Sequence, residues 1–553
     1  MSRNWWKESV VYQIYPRSFK DTTGDGIGDI PGIIEKLDYV KSLGVDVIWL
    51  CPVYESPNDD NGYDISNYRK ISEDFGGQEA FETLLDQIHK RDLKLIMDLV
   101  ANHTSDEHFW FKESKKSKDS PYRDYYIWRD GKNNGPPTNW MSFFNGSAWE
   151  YDKDTQQYYL HYFTKKQPDL NWENPKVRRE IFDVIEYWFK KGVDGFRMDV
   201  ISLISKPDVF EDSHYSKFQD TILNIYANGP KIHQYLHEMN QEVLSKFDIM
   251  TVGEGPGIDV QNGLLYVNEK RQELNMVFHF DHLFIDCGEG GKYDPIPYDL
   301  PKFKKVFSDW DKALKNGGWG SIFLGNHDFS RMVSRFGNDR KYHETSAKLL
   351  VTLLLTMRGT VYIYQGDEIG MTNVAYPNIG YYNDVETLNA WQEADKNGQD
   401  MNAFLTIVHA QSRDNARTPM QWNDQRNSGF TDGEPWLSVN PNYTSINVAS
   451  QETYEDSILN YYRDIIQFRK ENSVLVYGNY ECFQQEHPEL FVYRRWDETA
   501  EFLILHNMSD APQEFITELN AEKFKLCKTN LDAITQELFH LHPWQAKILV
   551  RAD

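Results

Sequence analysis

Asp199, Glu254 and Asp328 stand where a charge is hard to keep unless it serves a pocket. They sit in GFRMDV (195–200), VGEG (252–255) and NHD (326–328), and each follows an apolar run, Val193 to Met198, Ile249 to Val252 and Ile322 to Leu324. Each therefore reads as a carboxylate at the tip of a buried β-strand. An Asp after a strand is often only the cap of the next helix. Three such acids, with Arg197 two residues before Asp199 and Asn326-His327 directly before Asp328, point instead to a site. Two carboxyl groups, one protonated and one ionised, cleave a glycosidic bond through an oxocarbenium-like transition state. Arg197 shares a strand face with Asp199, so its charge is expected to keep that acid ionised. Glu254 has no basic neighbour in sequence, which suits a raised pKa and a proton to donate.

The elements that must position these acids are strands alternating with amphipathic helical stretches, the pattern of a parallel sheet. Strands are expected at 10–16, 46–50, 93–100, 193–200, 247–254, 274–280, 321–328 and 360–368. Eight β/α units predict an α/β fold, a (β/α)8 TIM barrel, with the site at the carboxyl ends of the strands. After the third strand the period breaks into a polar, aromatic-rich stretch too long for an ordinary loop. It reads as an inserted subdomain, 104–171, between barrel parts 1–103 and 172–480. A long irregular segment, from Met371 to about Tyr443, follows the eighth strand, and short alternating strands over 481–553 predict a C-terminal antiparallel β domain.

Composition narrows the partners. With 59 Lys and Arg against 84 Asp and Glu, the net charge of -25 repels phosphate backbones and anionic lipid, so nucleic acid and membrane are not expected partners. No apolar run reaches the length of a membrane span. Charges interrupt every apolar stretch of MSRNWWKESVVYQIYPRSF, unlike a signal peptide. Cys51, Cys287, Cys482 and Cys527 are too scattered for zinc or a disulfide scaffold. A cytoplasmic, monomeric protein is expected.

The motifs together resemble the α-amylase family, glycoside hydrolase family 13, and within it the oligo-1,6-glucosidase and α-glucosidase subgroup. DLVANH (98–103), QPDLN (167–171), GFRMDV, VGEG, NHD, SPNDDNGYD (56–64) and RDNARTPMQW (413–422) carry the resemblance across nearly the whole chain. It implies a retaining mechanism with Asp199 as nucleophile, Glu254 as acid/base and Asp328 as stabiliser of the transition state. It further implies that His103 and His327 hydrogen-bond the first sugar, that Tyr63 stacks on it, and that Asp60 and Arg413 close the pocket behind it. Asp98 and Asn102 would brace the loops around the nucleophile. Val200 matches the residue that accompanies α-1,6 specificity, or is a core valine; Phe144 and Phe163 would line the second sugar site, or simply pack.

DTTGDGIGD (21–29) places oxygen ligands at alternating positions, as in a calcium loop. The resemblance implies Asp21, Thr23, Asp25, the Ile27 carbonyl and Asp29 as ligands of a structural Ca2+, with Thr23 where Asn is usual. A plain Gly/Asp turn is the alternative. The expected activity is exo-acting hydrolysis of short α-glucosides such as isomaltose from the non-reducing end. A sucrose- or maltose-active relative or a trehalose-6-phosphate hydrolase is the alternative. Sucrose isomerases carry an Arg-rich loop where this chain has DHLFIDCGEGG (281–291). Phe329, Ser330 and Pro256 depart from the subgroup's usual residues beside the second sugar site.

Overall fold

The computed structural model describes residues 3–531 and 537–552. Eight strands form the parallel sheet: β1 (Val10–Ile14), β2 (Val47–Leu50), β3 (Lys94–Val100), β4 (Gly195–Asp199), β5 (Met250–Glu254), β6 (Met276–Phe278), β7 (Ser321–Ile322) and β8 (Thr360–Tyr364). Their order is β6-β5-β4-β3-β2-β1-β8-β7. Neighbours run parallel throughout, for example Val11 against Val47 and Ile96 against Gly195. The open edge closes through a side chain, since the Ser321 hydroxyl of β7 donates to the Val277 carbonyl of β6 at 2.8 Å. Nearly every strand residue is buried, as expected for strands covered by helices outside and by one another's side chains inside.

The helices follow local rules. In Pro175–Lys191 the Asn174 side chain accepts from Lys176 N, proline opens the first turn, and Gly192 ends the helix at φ 105°. Its stripe of Val177, Ile181, Val184, Ile185 and Trp188 packs on the barrel.

Every strand is shorter than predicted, and for two of them this bears on the site. The apolar run from Ile322 pairs only over Ser321–Ile322, so Asp328 lies on the loop beyond β7 and not at a strand tip. Residues beyond Tyr364 in β8 turn into a short 3-10 helix, Asp367–Ile369. The segment after β8 is not irregular: it holds helices Val385–Lys396 and Met401–Gln411, capped by Asp384 and Asp400. Between β3 and β4, strands Trp128–Arg129, Trp149–Asp152 and Gln157–Leu160 make an antiparallel sheet rooted by a His103 to Asp169 bridge. Behind the barrel, five antiparallel strands starting at Asn479 form the C-terminal sheet. The buried Lys304 ammonium pins it to a barrel helix by donating to the carbonyls of Gln484, His487 and Leu490.

Candidate active site

β4 and β5 end on Asp199 and Glu254, and one guanidinium joins them. Arg197 donates from one nitrogen to Asp98 and, at 2.7 Å, to Asp199, while its other nitrogen lies 2.6 Å from Glu254 Oε1. Glu254 also accepts from Val200 N at 3.0 Å. Two readings from sequence are corrected here. Glu254 does have a basic partner in space, and Arg197 is shared among three carboxylates, so its charge is not given to Asp199 alone. Burial pushes the Asp199 carboxyl well above its ordinary value; Arg197 opposes this, and the charge of Glu254 adds to it. Asp98, fully buried, also accepts from the Trp49 indole at 2.9 Å, which fixes Arg197 from below.

Asp328 behaves differently. Burial works to raise it, but His327, Arg413 and Arg417 outweigh that and hold it well below the usual carboxylate range. Its oxygens lie 2.8 Å from Arg417, 3.3 Å from Arg413 and 3.0 Å from His327 Nε2. The Gln13 amide meets His327 Nδ1 at 2.8 Å, and Nε2 faces Asp328 and, at 2.7 Å, the Tyr63 hydroxyl. The Tyr63 ring stacks on His327 at 5.4 Å. His103, lowered to about 4 by burial, is a neutral group 3.2 Å from the Asn102 and Gln167 amides. Gln167 continues to Asp60 at 3.2 Å, and Asp60 is raised to about 6, chiefly by burial and against the pull of Arg413.

The remaining candidates fall on the rim. Val200 adopts the left-handed region at φ 37°, ψ 39°, strained for a β-branched residue and directly beside the nucleophile candidate. Phe163 lies 5.0 Å from His103 and 5.7 Å from Phe144, whose ring in turn faces the Arg413 guanidinium at 5.0 Å. Phe329 packs against Phe280 and Phe284.

Sequence reasoning missed several members. Arg413 is bound most tightly by Asp384, at 2.7 and 2.8 Å, and touches Asp60 only at 3.5 Å. Lys292, from the loop after β6, pairs with Glu386 at 2.9 Å and donates to the Asp328 carbonyl at 3.1 Å. Lys206 bridges Asp169 and Asn102 beneath His103. Arg417 had a signal, because it lies four residues after Arg413 across one helical turn, Asp414–Arg417. Asp384 had only the look of a helix cap.

The 21–29 loop is closed by its own hydrogen bonds. Asp21 accepts from the backbone of Thr23, Gly24 and Gly26 and from the hydroxyls of Thr23 and Thr431. Asp29 accepts from Thr22 twice and caps the next helix through Gly32 N, and Asp25 accepts from Ile27 N. A carboxylate has about four lone-pair sites, so Asp21 is saturated. Among the described residues no group of three or more His, Cys, Asp or Glu side chains could hold a metal ion. Within the described residues Asp25 accepts only the one bond, from Ile27 N.

Clustered carboxylates at the carboxyl mouth of an eight-stranded α/β barrel, backed by an antiparallel sheet, define a glycoside hydrolase. The chain belongs to the α-amylase family: residues 13–478 match the model of the alpha amylase catalytic domain. It is 53% identical over 556 residues to an oligo-1,6-glucosidase of Parageobacillus thermoglucosidasius, with 99% of each chain covered. Among solved structures it resembles trehalose-6-phosphate hydrolase of Bacillus licheniformis, with TM-score 0.95, 45% identity and 100% of both chains covered. It equally resembles isomaltulose synthase of Klebsiella sp. LX3, with TM-score 0.96, 45% identity and 100% of both chains covered.

Proposed function

We propose that the protein is an exo-acting, retaining α-glucosidase that removes glucose from the non-reducing end of short α-1,6-linked oligosaccharides such as isomaltose. The observation that carries this reading is the wall behind the acids: Arg413 spans the loops after β2, β7 and β8 through Asp60, Asp328 and Asp384. A polysaccharide cannot thread past such a wall, so the site takes a chain end. Asp199 serves as nucleophile and Glu254 as acid/base. Burial and the charge of Glu254 raise Asp199, as for two carboxyl groups sharing one site, and double displacement uses one acid and one carboxylate. Asp328, held ionised, grips sugar hydroxyls and stabilises the developing positive charge. Neutral His103, with His327 and Tyr63, frames the first sugar.

The cations at the mouth speak against a phosphorylated substrate. Lys292 is neutralised by Glu386, Lys206 by Asp169, and Arg413 and Arg417 by Asp384 and Asp328, which leaves none of these four to take a phosphate. No helix among the described residues is long and apolar enough to cross a membrane. The four free cysteines suit the reducing cytoplasm. The test is product analysis on isomaltose, panose, maltose, sucrose, trehalose-6-phosphate and starch. Proton NMR should show α-glucose released first, fastest from isomaltose, and almost nothing from starch. Initial β-glucose would refute retention, and early maltose from starch would refute the blind-ended pocket.

A further inference from the structure

Arg413 is surrounded by four carboxylates but is not centred among them. It lies 2.8 Å and 2.7 Å from Asp384, through Nε and a terminal nitrogen, against 3.3 Å to Asp328, 3.5 Å to Asp60 and 3.6 Å to Glu386. Charge-assisted bonds normally close to about 2.7–2.9 Å. Two of its three nitrogens thus engage one oxygen of Asp384, and the guanidinium is held short of full contact with the two acids that face the sugar. We infer that Asp384 is a positioning residue that keeps Arg413 at a stand-off from Asp328 and Asp60, leaving their oxygens available to the hydroxyls of the terminal glucose. The inference rests on the pocket proposed above.

Asp384 is well placed to do this because it cannot move alone. It is fully buried and caps helix Val385–Lys396, accepting from Glu386 N and Thr387 N and from the Thr387 hydroxyl at 2.6 Å. The same hydroxyl lies 2.8 Å from that of Ser412, the residue before Arg413. On the other side of Arg413, Asp414 accepts from the backbone N–H of Asn383 and Asp384, at 2.7 and 3.0 Å. Both sequence neighbours of the arginine are therefore clasped to the segment that carries its anchor. Without the Asp384 charge, Arg413 has two carboxylates less than 1 Å beyond ideal contact, and attraction draws it onto them.

The experiment uses Asp384→Asn in the full-length enzyme. The amide oxygen still caps the helix, so a purely structural role leaves activity untouched. We expect kcat/KM on isomaltose to fall about a hundredfold, the scale of a misplacement of about 1 Å, with most of the loss in KM and a matching loss of affinity for 1-deoxynojirimycin, a glucose-shaped amine. The melting temperature should stay within a few degrees. The double variant with Arg413→Ala should be no worse than Arg413→Ala alone, since both act through one guanidinium. Native kinetics in Asp384→Asn, or losses that multiply in the double variant, overturn the inference. If Asn does not fold, Asp384→Ser, another uncharged cap, carries the same expectation and the same refutation. If the native enzyme turns over no short α-glucoside, the proposed function fails, and inhibitor affinity measured by calorimetry still tests Asp384. If it binds no inhibitor either, both fall.

Discussion

Asp199→Asn should abolish turnover and at the same time stabilise the protein, by an amount that grows with pH. Asparagine has nearly the same shape, and Arg197 keeps Asp98 and Glu254 as partners, so no buried cation is orphaned. The carboxylate it removes is one whose ionisation burial disfavours. A carboxyl raised in the folded state contributes stability below its unfolded value and loses it as pH climbs through the folded value. In acid, native Asp199 is protonated and resembles Asn, so the two proteins should melt together. Toward pH 8 the unfolded chain has ionised this group while the native fold opposes its ionisation, a cost the Asn variant does not carry. Replacing buried ionic groups is worth roughly 1–4 kcal/mol where it stabilises. At about 2.1 cal/mol/K per residue, the unfolding entropy of 553 residues is about 1.2 kcal/mol/K, so each kcal/mol moves Tm by about 1 °C. The gap should therefore open from about zero at pH 4 to roughly 1–4 °C at pH 8, read by scanning calorimetry on both proteins. Turnover should drop by several orders of magnitude, because no glycosyl-enzyme can form. A variant less stable than the native protein at pH 8, or a gap that closes with rising pH, would mean that Arg197 holds Asp199 ionised.

Two further outcomes are expected. Val200→Thr keeps the β-branch and therefore the strain at φ 37°, so Tm should change little, while its hydroxyl offers the second sugar a hydrogen bond. At 0.5–1.5 kcal/mol, the ratio of kcat/KM on maltose to that on isomaltose should rise about 2- to 10-fold, and an unchanged ratio places linkage specificity elsewhere on the rim. Because donors of its own turn and the Thr431 hydroxyl already fill Asp21, neither a chelator nor added calcium should move Tm by more than about 1 °C; a larger shift would show that the 21–29 loop binds metal.

What the sequence determined by itself is what local burial dictates. Apolar runs and capped amphipathic stretches report which residues face a core within a few positions of one another, so the eight β/α units and the acids at the tips of β4 and β5 were legible. Asp328 was found by its motif but given the wrong support, since an apolar run does not say how far the neighbouring strand follows it. The helices after β8 were missed although Asp384 and Asp400 cap them and Met401, Phe404, Leu405 and Val408 recur at helical spacing. Only the tertiary structure decided which charge meets which. Arg197 reaches Asp98 across 99 positions and Arg413 reaches Asp384 across 29, while Asp60, 353 positions away and expected as its partner, is the looser contact. Coulomb attraction depends on separation in space and on burial, and both are set by how the barrel closes and how its loops pack.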